Sequence, residues 1–262
     1  ECPNCHGHEL VSLGQGTENI HQTIREMVPD AEVERIDRDT TRRKGELEIR
    51  LDRAHSGETD ILVGTQMLSK GHDFPNLTLV GIIDSDHLLF SADFRASERL
   101  FQLITQVSGR AGRAEKPGIV LLQTRFPDSP WLQVIANHDY RAFAEMALGE
   151  RQAAEYPPFA HIALLRAEST TKSEAMNFLQ HMHQQAGQLI QQQPAMNTVM
   201  LSDPMPSMME KRAGRYRAQL LVQAPERSPL HTFLKQWRTL IEADQSARRV
   251  RWSLDVDPAD LY

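Results

Sequence analysis

The segment Gln106-Val107-Ser108-Gly109-Arg110-Ala111-Gly112-Arg113 carries the clearest chemistry in this chain. Its two arginines stand three residues apart, at or just beyond the last turn of an amphipathic stretch that begins near Arg95, so both can point the same way. A planar guanidinium grips phosphate oxygens in bidentate fashion and stabilises the charge that develops in phosphoryl transfer. The glycines let the backbone close against a partner. A helix ending on a glycine cap, with a cation near its C-terminus, accounts for one arginine and one glycine but not for the whole octet. Arg110 and Arg113 are therefore candidates for phosphate chemistry.

A second constellation lies upstream, over residues 61–75. An apolar run delivers Thr65 and Gln66 to the C-terminal edge of a strand, where a hydroxyl and an amide can hold a nucleic-acid phosphate. Gly71 and Asp73 follow in a tight loop suited to a nucleotide. Gly14-Gln15-Gly16-Thr17-Glu18 forms a glycine-rich strand-to-helix turn, with Thr17 available as an N-cap. It lacks the GxGxxG pattern, which sets aside a nucleotide-dependent oxidoreductase. The apolar run ending in Asp84-Ser85-Asp86-His87 imitates an acidic magnesium box. Its position argues against that role, because such a box follows a phosphate loop and precedes the other motifs by a long stretch. No GxxxxGK[ST] occurs anywhere in the chain.

Cys2 and Cys5 form a CxxC, with His6 and His8 close behind. The pair suits half of a tetrahedral zinc site. His6 and His8 could close it, although ligands packed so tightly are geometrically awkward; a second pair from distant sequence is the alternative, and an ordinary surface dithiol the plain one. Two cationic clusters stand out: residues 38–44 hold four cations and one acid, and residues 211–217 hold four cations and no acid. Lys211, Arg212, Arg215 and Arg217 are interleaved with Tyr216, a pattern suited to phosphate contact plus base stacking, though a solvated loop explains a basic cluster equally simply.

The elements that must position these residues fall into two rhythms. From Leu10 to about Thr124 the chain alternates β-type runs (10–13, 33–36, 60–63, 77–83, 119–122) with helical stretches (18–27, 43–54, 96–107). This predicts an α/β fold with an open parallel sheet whose ligands gather at the strands' C-terminal ends. Pro127, Pro130, Pro157 and Pro158 bracket a helical linker region, 127–156. From 157 to 262 the order becomes strand 160–167, helix 172–192, strands 198–201 and 216–223, helix 229–243 and strand 248–256. That β-α-β-β-α-β order predicts an α+β, ferredoxin-like C-terminal domain.

Gln106–Arg113 resembles motif VI of superfamily-2 helicases, and the 61–75 segment resembles their motif V. The match makes Arg110 and Arg113 arginine fingers toward ATP, with Gly71, Asp73 and Gln106 in supporting ATP contacts and Thr65 and Gln66 on DNA. Residues 10–18, Ala92–Arg99, Tyr156–Phe159 and Met208–Arg217 resemble the bacterial replication-restart helicases, over nearly the whole chain. That resemblance implies a second RecA-like lobe at 10–126 and the end of a zinc-binding insertion at 1–9, with Cys2 and Cys5 as its last cysteine pair. It also implies a C-terminal domain at 157–262 that contacts DNA and partners. The implied function is an ATP-dependent helicase of 3′-to-5′ polarity that recognises stalled or repaired forks and initiates primosome assembly, using ATP, Mg2+ and Zn2+. The implied partners are fork and single-stranded DNA, other primosome proteins and single-strand-binding protein, whose acidic tail Arg227 would receive. ATP hydrolysis would require a motor lobe absent from this sequence. A non-catalytic DNA-binding or assembly module is the competing expectation, and the arginine pair speaks against it.

Composition is consistent with these readings. A chain of 262 residues with 40% hydrophobic and 24% charged side chains suits two folded domains rather than disorder. A net charge of −6 means that any nucleic-acid contact must come from local clusters rather than bulk charge. No apolar run approaches the length of a membrane span, and the chain opens on Glu-Cys-Pro instead of a signal segment, so a cytoplasmic location is expected.

Overall fold

A computed structural model describes residues 16–261 apart from 38, 39, 42, 44, 66, 67, 69–73, 75, 92 and 110–117. The chain divides into two compact units, one running to Tyr140 and one from Arg141 onward, the second including the short segment around Phe94 and Arg95.

The first unit is a parallel α/β arrangement. Its order is α1 (Thr17–Met27), β1 (Val33–Ile36), α2 (Glu46–Ser56), β2 (Ile61–Gly64), β3 (Leu79–Ile82), α3 (Asp86–Leu89), α4 (Ala96–Ser108), β4 (Ile119–Leu122) and α5 (Pro130–Ala136). β1 pairs with β2 and β3 with β4, both parallel. Among the described residues no ladder joins the two pairs, and the strand expected at 10–13 lies outside them. The parallel pairing requires the helical crossovers that α2 and α4 provide. α4 shows how sequence fixes orientation: Ala96, Leu100, Phe101, Ile104 and Val107 are buried and fall on one helical stripe. Burying each of its larger side chains contributes roughly 1.5–3 kcal/mol over exposure, so the helix has one stable roll.

β1 buries a carboxylate, Glu34, at 5% exposure. Its cost is offset by Arg50 at 2.9 Å and Arg53 at 3.4 Å from α2, and by the Thr59 hydroxyl at 3.1 Å. α2 also places Glu46 and Glu48 in its first turn and Arg53 and His55 in its last, in line with the helix dipole.

The second unit begins within α6 (Tyr140–Ala153) and continues with β5 (His161–Ser169), α7 (Lys172–Gln192), β6 (Met200–Leu201), β7 (Met205–Arg212), β8 (Arg215–Ala224), α8 (Arg227–Ala243) and β9 (Arg251–Val256). The antiparallel sheet runs β6-β8-β5-β9, and β7 also pairs with β8. β6 lies against Val222 and Gln223 while β7 lies against the Arg215–Gln219 end, so the two act as one interrupted edge strand. The helical linker region expected at 127–156 holds two helices, α5 and α6, separated at Asn137-His138-Asp139, where His138 takes φ 53.

Strand alternation sorts this unit's side chains. Ala163, Leu165 and Ala167 of β5, with Ala218, Leu220 and Val222 of β8, pack under Phe178, Leu179 and Met182 of α7 and Phe233 and Trp237 of α8. The opposite face carries Ile162, Leu164 and Leu221, covered by Phe94, Tyr156 and Leu261. Residues 257–261 are held there by polar clasps. Arg166 reaches Asp255 at 3.0 Å and Asp260 at 3.0 Å, Gln219 donates to the Leu261 carbonyl at 2.9 Å, and Arg95 donates to the Pro258 carbonyl.

Candidate functional site

In the first unit the candidate site is built at the C-terminal ends of β1 and β2, which lie side by side because the strands are parallel. Asp37 ends β1 and is 8% exposed. It accepts hydrogen bonds from the Thr17 hydroxyl at 2.7 Å and the Thr40 amide at 2.9 Å, and pairs with Arg35 at 3.2 Å. Thr17 therefore spends its hydroxyl on Asp37. It does not cap α1, whose N-cap position is Gly16. This clasp ties the start of α1 to the strand end, the kind of place where α/β sheets gather phosphate ligands. Sequence reasoning missed Asp37; the Asp37-x-x-Thr40-Thr41 spacing, with both hydroxyls bonding the Asp37 carbonyl, was the available signal.

Thr65 follows β2 directly and is exposed. Gly64 before it has a specific reason to be glycine: a Cβ there would lie 2.4 Å from the Ile36 carbonyl oxygen and 2.6 Å from Leu68. The strands approach too closely for any side chain. Gln66, Gly71 and Asp73 lie outside the described residues.

α4 continues to Ser108, and the Gly109 amide closes onto the Thr105 carbonyl at 3.1 Å. Gln106 is on the exposed side of this helix, opposite the buried stripe. Arg110 and Arg113 lie outside the described residues, as do Cys2 and Cys5.

The acidic imitation of a magnesium box has a structural explanation. Asp86 opens α3 and spends both oxygens on the segment after β4, taking the Thr124 hydroxyl at 2.6 Å and the Arg125 amide at 2.9 Å. The Thr124 hydrogen bond, then the Arg125 amide, hold its carboxyl below the usual 3.8. Asp84 takes φ 57 and pairs with His87 at 3.3 Å. Both Asp86 oxygens thus serve to join α3 to the segment after β4.

In the second unit the cationic cluster sits on a hairpin between β7 and β8. Its two-residue turn, Ala213-Gly214, has φ 49 and 78, the primed geometry that suits a twisted hairpin and that glycine enters freely. The expected connection is thus largely strand. The strand alternation also divides the cluster. Lys211 pairs with Tyr216 and holds its ammonium 4.8 Å from the ring centre, on the helix side of the sheet. Arg212 and Arg215 are paired with each other, on the opposite face. Arg217 shares that face and is partly committed to Glu168 at 3.2 Å. Arg227 begins α8, is exposed, and contacts His231 one turn on at 3.4 Å.

Phe94 and Arg95, with Tyr156, form a further clasp within this unit. The Phe94 and Tyr156 rings stack at 4.9 Å and 11°, with the guanidiniums of Arg95 and Arg151 at 4.4 and 4.8 Å from the Phe94 centre.

Comparison with known proteins agrees with this division. Residues 6–115 match the helicase conserved C-terminal domain, and residues 152–259 match the primosomal protein N C-terminal domain. Proteins named replication restart protein PriA are similar over the chain: 44% identical in Haemophilus influenzae over 100% of this chain, 40% in Synechocystis over 99%, and 35% in Bacillus subtilis over 98%. The chain spans 35%, 30% and 31% of those relatives' lengths, about a third. No helix among the described residues is long and apolar enough to cross a membrane.

Proposed function

We propose, from the premise that this chain belongs to the replication restart family, that it is the C-terminal part of an ATP-dependent 3′-to-5′ DNA helicase that recognises stalled or repaired forks and starts primosome assembly. In this reading the first unit is the second RecA-like lobe, supplying Arg110 and Arg113 in trans to ATP and magnesium bound mainly by another lobe. Gly71, Asp73 and Gln106 assist there, and Thr65 and Gln66 meet DNA. The second unit is read as ferredoxin-like, supported by the order of its sheet and by α7 and α8 sharing one core face.

The observation that carries the motor reading is α4. Its buried stripe fixes its roll, leaving Gln106 on the open side, four residues ahead of Arg110 in the sequence. Zinc on Cys2 and Cys5 belongs to the same reading. So do DNA contact by Lys211, Arg212, Arg215 and Arg217, receipt of the acidic tail of single-strand-binding protein at Arg227, contact with other primosome proteins, and a cytoplasmic location. Because the chain has no phosphate loop, the purified chain alone should show no DNA-stimulated ATP turnover. Robust turnover insensitive to Arg110→Ala would overturn the assignment.

A further inference from the structure

The end of the second unit's sheet brings a fourth arginine, Arg251 of β9, beside Arg212, Arg215 and Arg217 of the cationic cluster, from which it is far apart in sequence. In register, Arg217 of β8 stands opposite Glu168 of β5, and Glu168 stands opposite Arg251 of β9. Directly opposed residues share a face. Ala167, Ala218 and Trp252 point toward the helices, so their neighbours Glu168, Arg217 and Arg251 point away. Arg215 lies two residues from Arg217 and therefore on the same face, with Arg212 opposite it. The result is a row, Arg212, Arg215, Arg217 and Arg251, interrupted by Glu168 alone. Residues 257–261 cover the other end of this face, around Ile162 and Leu164, and leave Arg212 and Arg251 exposed.

Within the row the one ion pair among the described residues joins Arg217 to Glu168. Opposing Arg212 to Arg215 works against the hairpin, since like charges directly across a strand pair repel. The fold gains nothing from that pairing, whereas a polyanion lying over it would relieve it. From β7 to β9 is three strand spacings, about 14 Å, which matches roughly four phosphates of one duplex strand along its axis.

We propose that this row binds the sugar-phosphate backbone of a nucleic-acid strand running across the sheet end, with Arg251 as its contact on the strand farthest from the hairpin. Glu168 holds Arg217 in place and sets an upper limit on the row's affinity. The inference rests on the DNA-contact reading of the hairpin for Arg212 and Arg215, and adds Arg251 and Glu168 to it.

Fluorescence anisotropy of short labelled single-stranded and duplex DNA, titrated with the whole chain across a salt series, tests it. Arg251→Ala should weaken binding several-fold and flatten the log K against log salt slope by about 0.7 on single strands or about 0.9 on duplex. Glu168→Gln should tighten binding, with an unchanged thermal melt showing that the fold is intact. If Arg212→Ala and Arg215→Ala weaken binding while Arg251→Ala changes neither affinity nor slope, the row is wrong and the hairpin reading survives. If none of the three alters binding, both fall. Displacement of DNA by polyglutamate at equal charge concentration would overturn the nucleic-acid assignment in favour of an acidic protein segment.

Discussion

The Thr17 hydroxyl donates to Asp37 across 2.7 Å, so the first turn of α1 is fastened to the end of β1. Asp37 also takes the Thr40 amide and pairs with Arg35, and it is nearly buried. Asp37→Ala removes all three interactions and leaves the Thr17 hydroxyl and the Thr40 amide without this acceptor, while Arg35 keeps Glu18 at 3.6 Å, a loss of roughly 2–4 kcal/mol. Hydrogen-exchange mass spectrometry should show faster exchange across residues 17–36 in this variant, and a smaller change in Asp37→Asn, which keeps one acceptor. Equal protection in all three proteins would contradict the clasp.

Gly64→Ala tests the close approach of β1 and β2. The new methyl would meet the Ile36 carbonyl at 2.4 Å, and backbone cannot yield as a flexible side chain can. Overpacking of this kind costs roughly 1–3 kcal/mol. Exchange in residues 33–36 and 61–64 should rise together, and the displaced Thr65 should weaken DNA binding.

Phe94→Ala should loosen the second unit even though Phe94 precedes α4 in the chain. It removes the stack on Tyr156 and the surface over which Arg95 and Arg151 lie. A loss of roughly 3–5 kcal/mol is expected for a buried aromatic, less where Phe94 is partly open. Trp237 is fully buried in this unit, so its fluorescence during urea denaturation reads the effect. An unchanged midpoint would detach the segment from the unit's stability.

Asp244 gives the second unit an acid-sensitive joint between α7 and α8. The Ser246 hydroxyl lowers its carboxyl from 3.8 to about 2, helped by the Ser246 amide and by His181 at 2.8 Å. A depressed carboxylate pKa stabilises the fold above its unfolded value, and that stability is lost as pH falls through the folded value. The tryptophan-monitored urea midpoint should therefore drop between about pH 5 and pH 2. Asp244→Asn should flatten part of that fall; a variant with the same pH profile as the parent would assign the acid sensitivity elsewhere.

What the sequence made legible follows from what burial imprints on it. β4 falls at the predicted residues because it is a short apolar run, and β1 does so with Val33 and Ile36 marking its ends. α4 was legible because its core stripe is complete. β7 was hidden for the opposite reason: it is an edge strand with Met205, Met208 and Met209 exposed and a register shift between Pro206 and Lys211, so no clean alternation marks it. The break between α5 and α6 needed the left-handed backbone of His138, which a helical periodicity does not announce. The segment Asp84–His87 was set aside as a magnesium box by its position alone; what Asp86 does instead, binding Thr124 and Arg125, is not written in the sequence. Of the arginine row, sequence showed Arg212, Arg215 and Arg217 as one cluster; only strand register brings Arg251 to the other side of Glu168 from Arg217.

The most direct test of the motor assignment is reconstitution. The chain should be mixed with a separately expressed lobe that carries a phosphate loop, and ATP hydrolysis followed with fork DNA present, for the parent and for Arg110→Ala. Mixing should restore DNA-stimulated hydrolysis, and the alanine should abolish it while fork binding persists. DNA binding without any restored hydrolysis, or hydrolysis indifferent to Arg110, would contradict it and leave the chain a binding module.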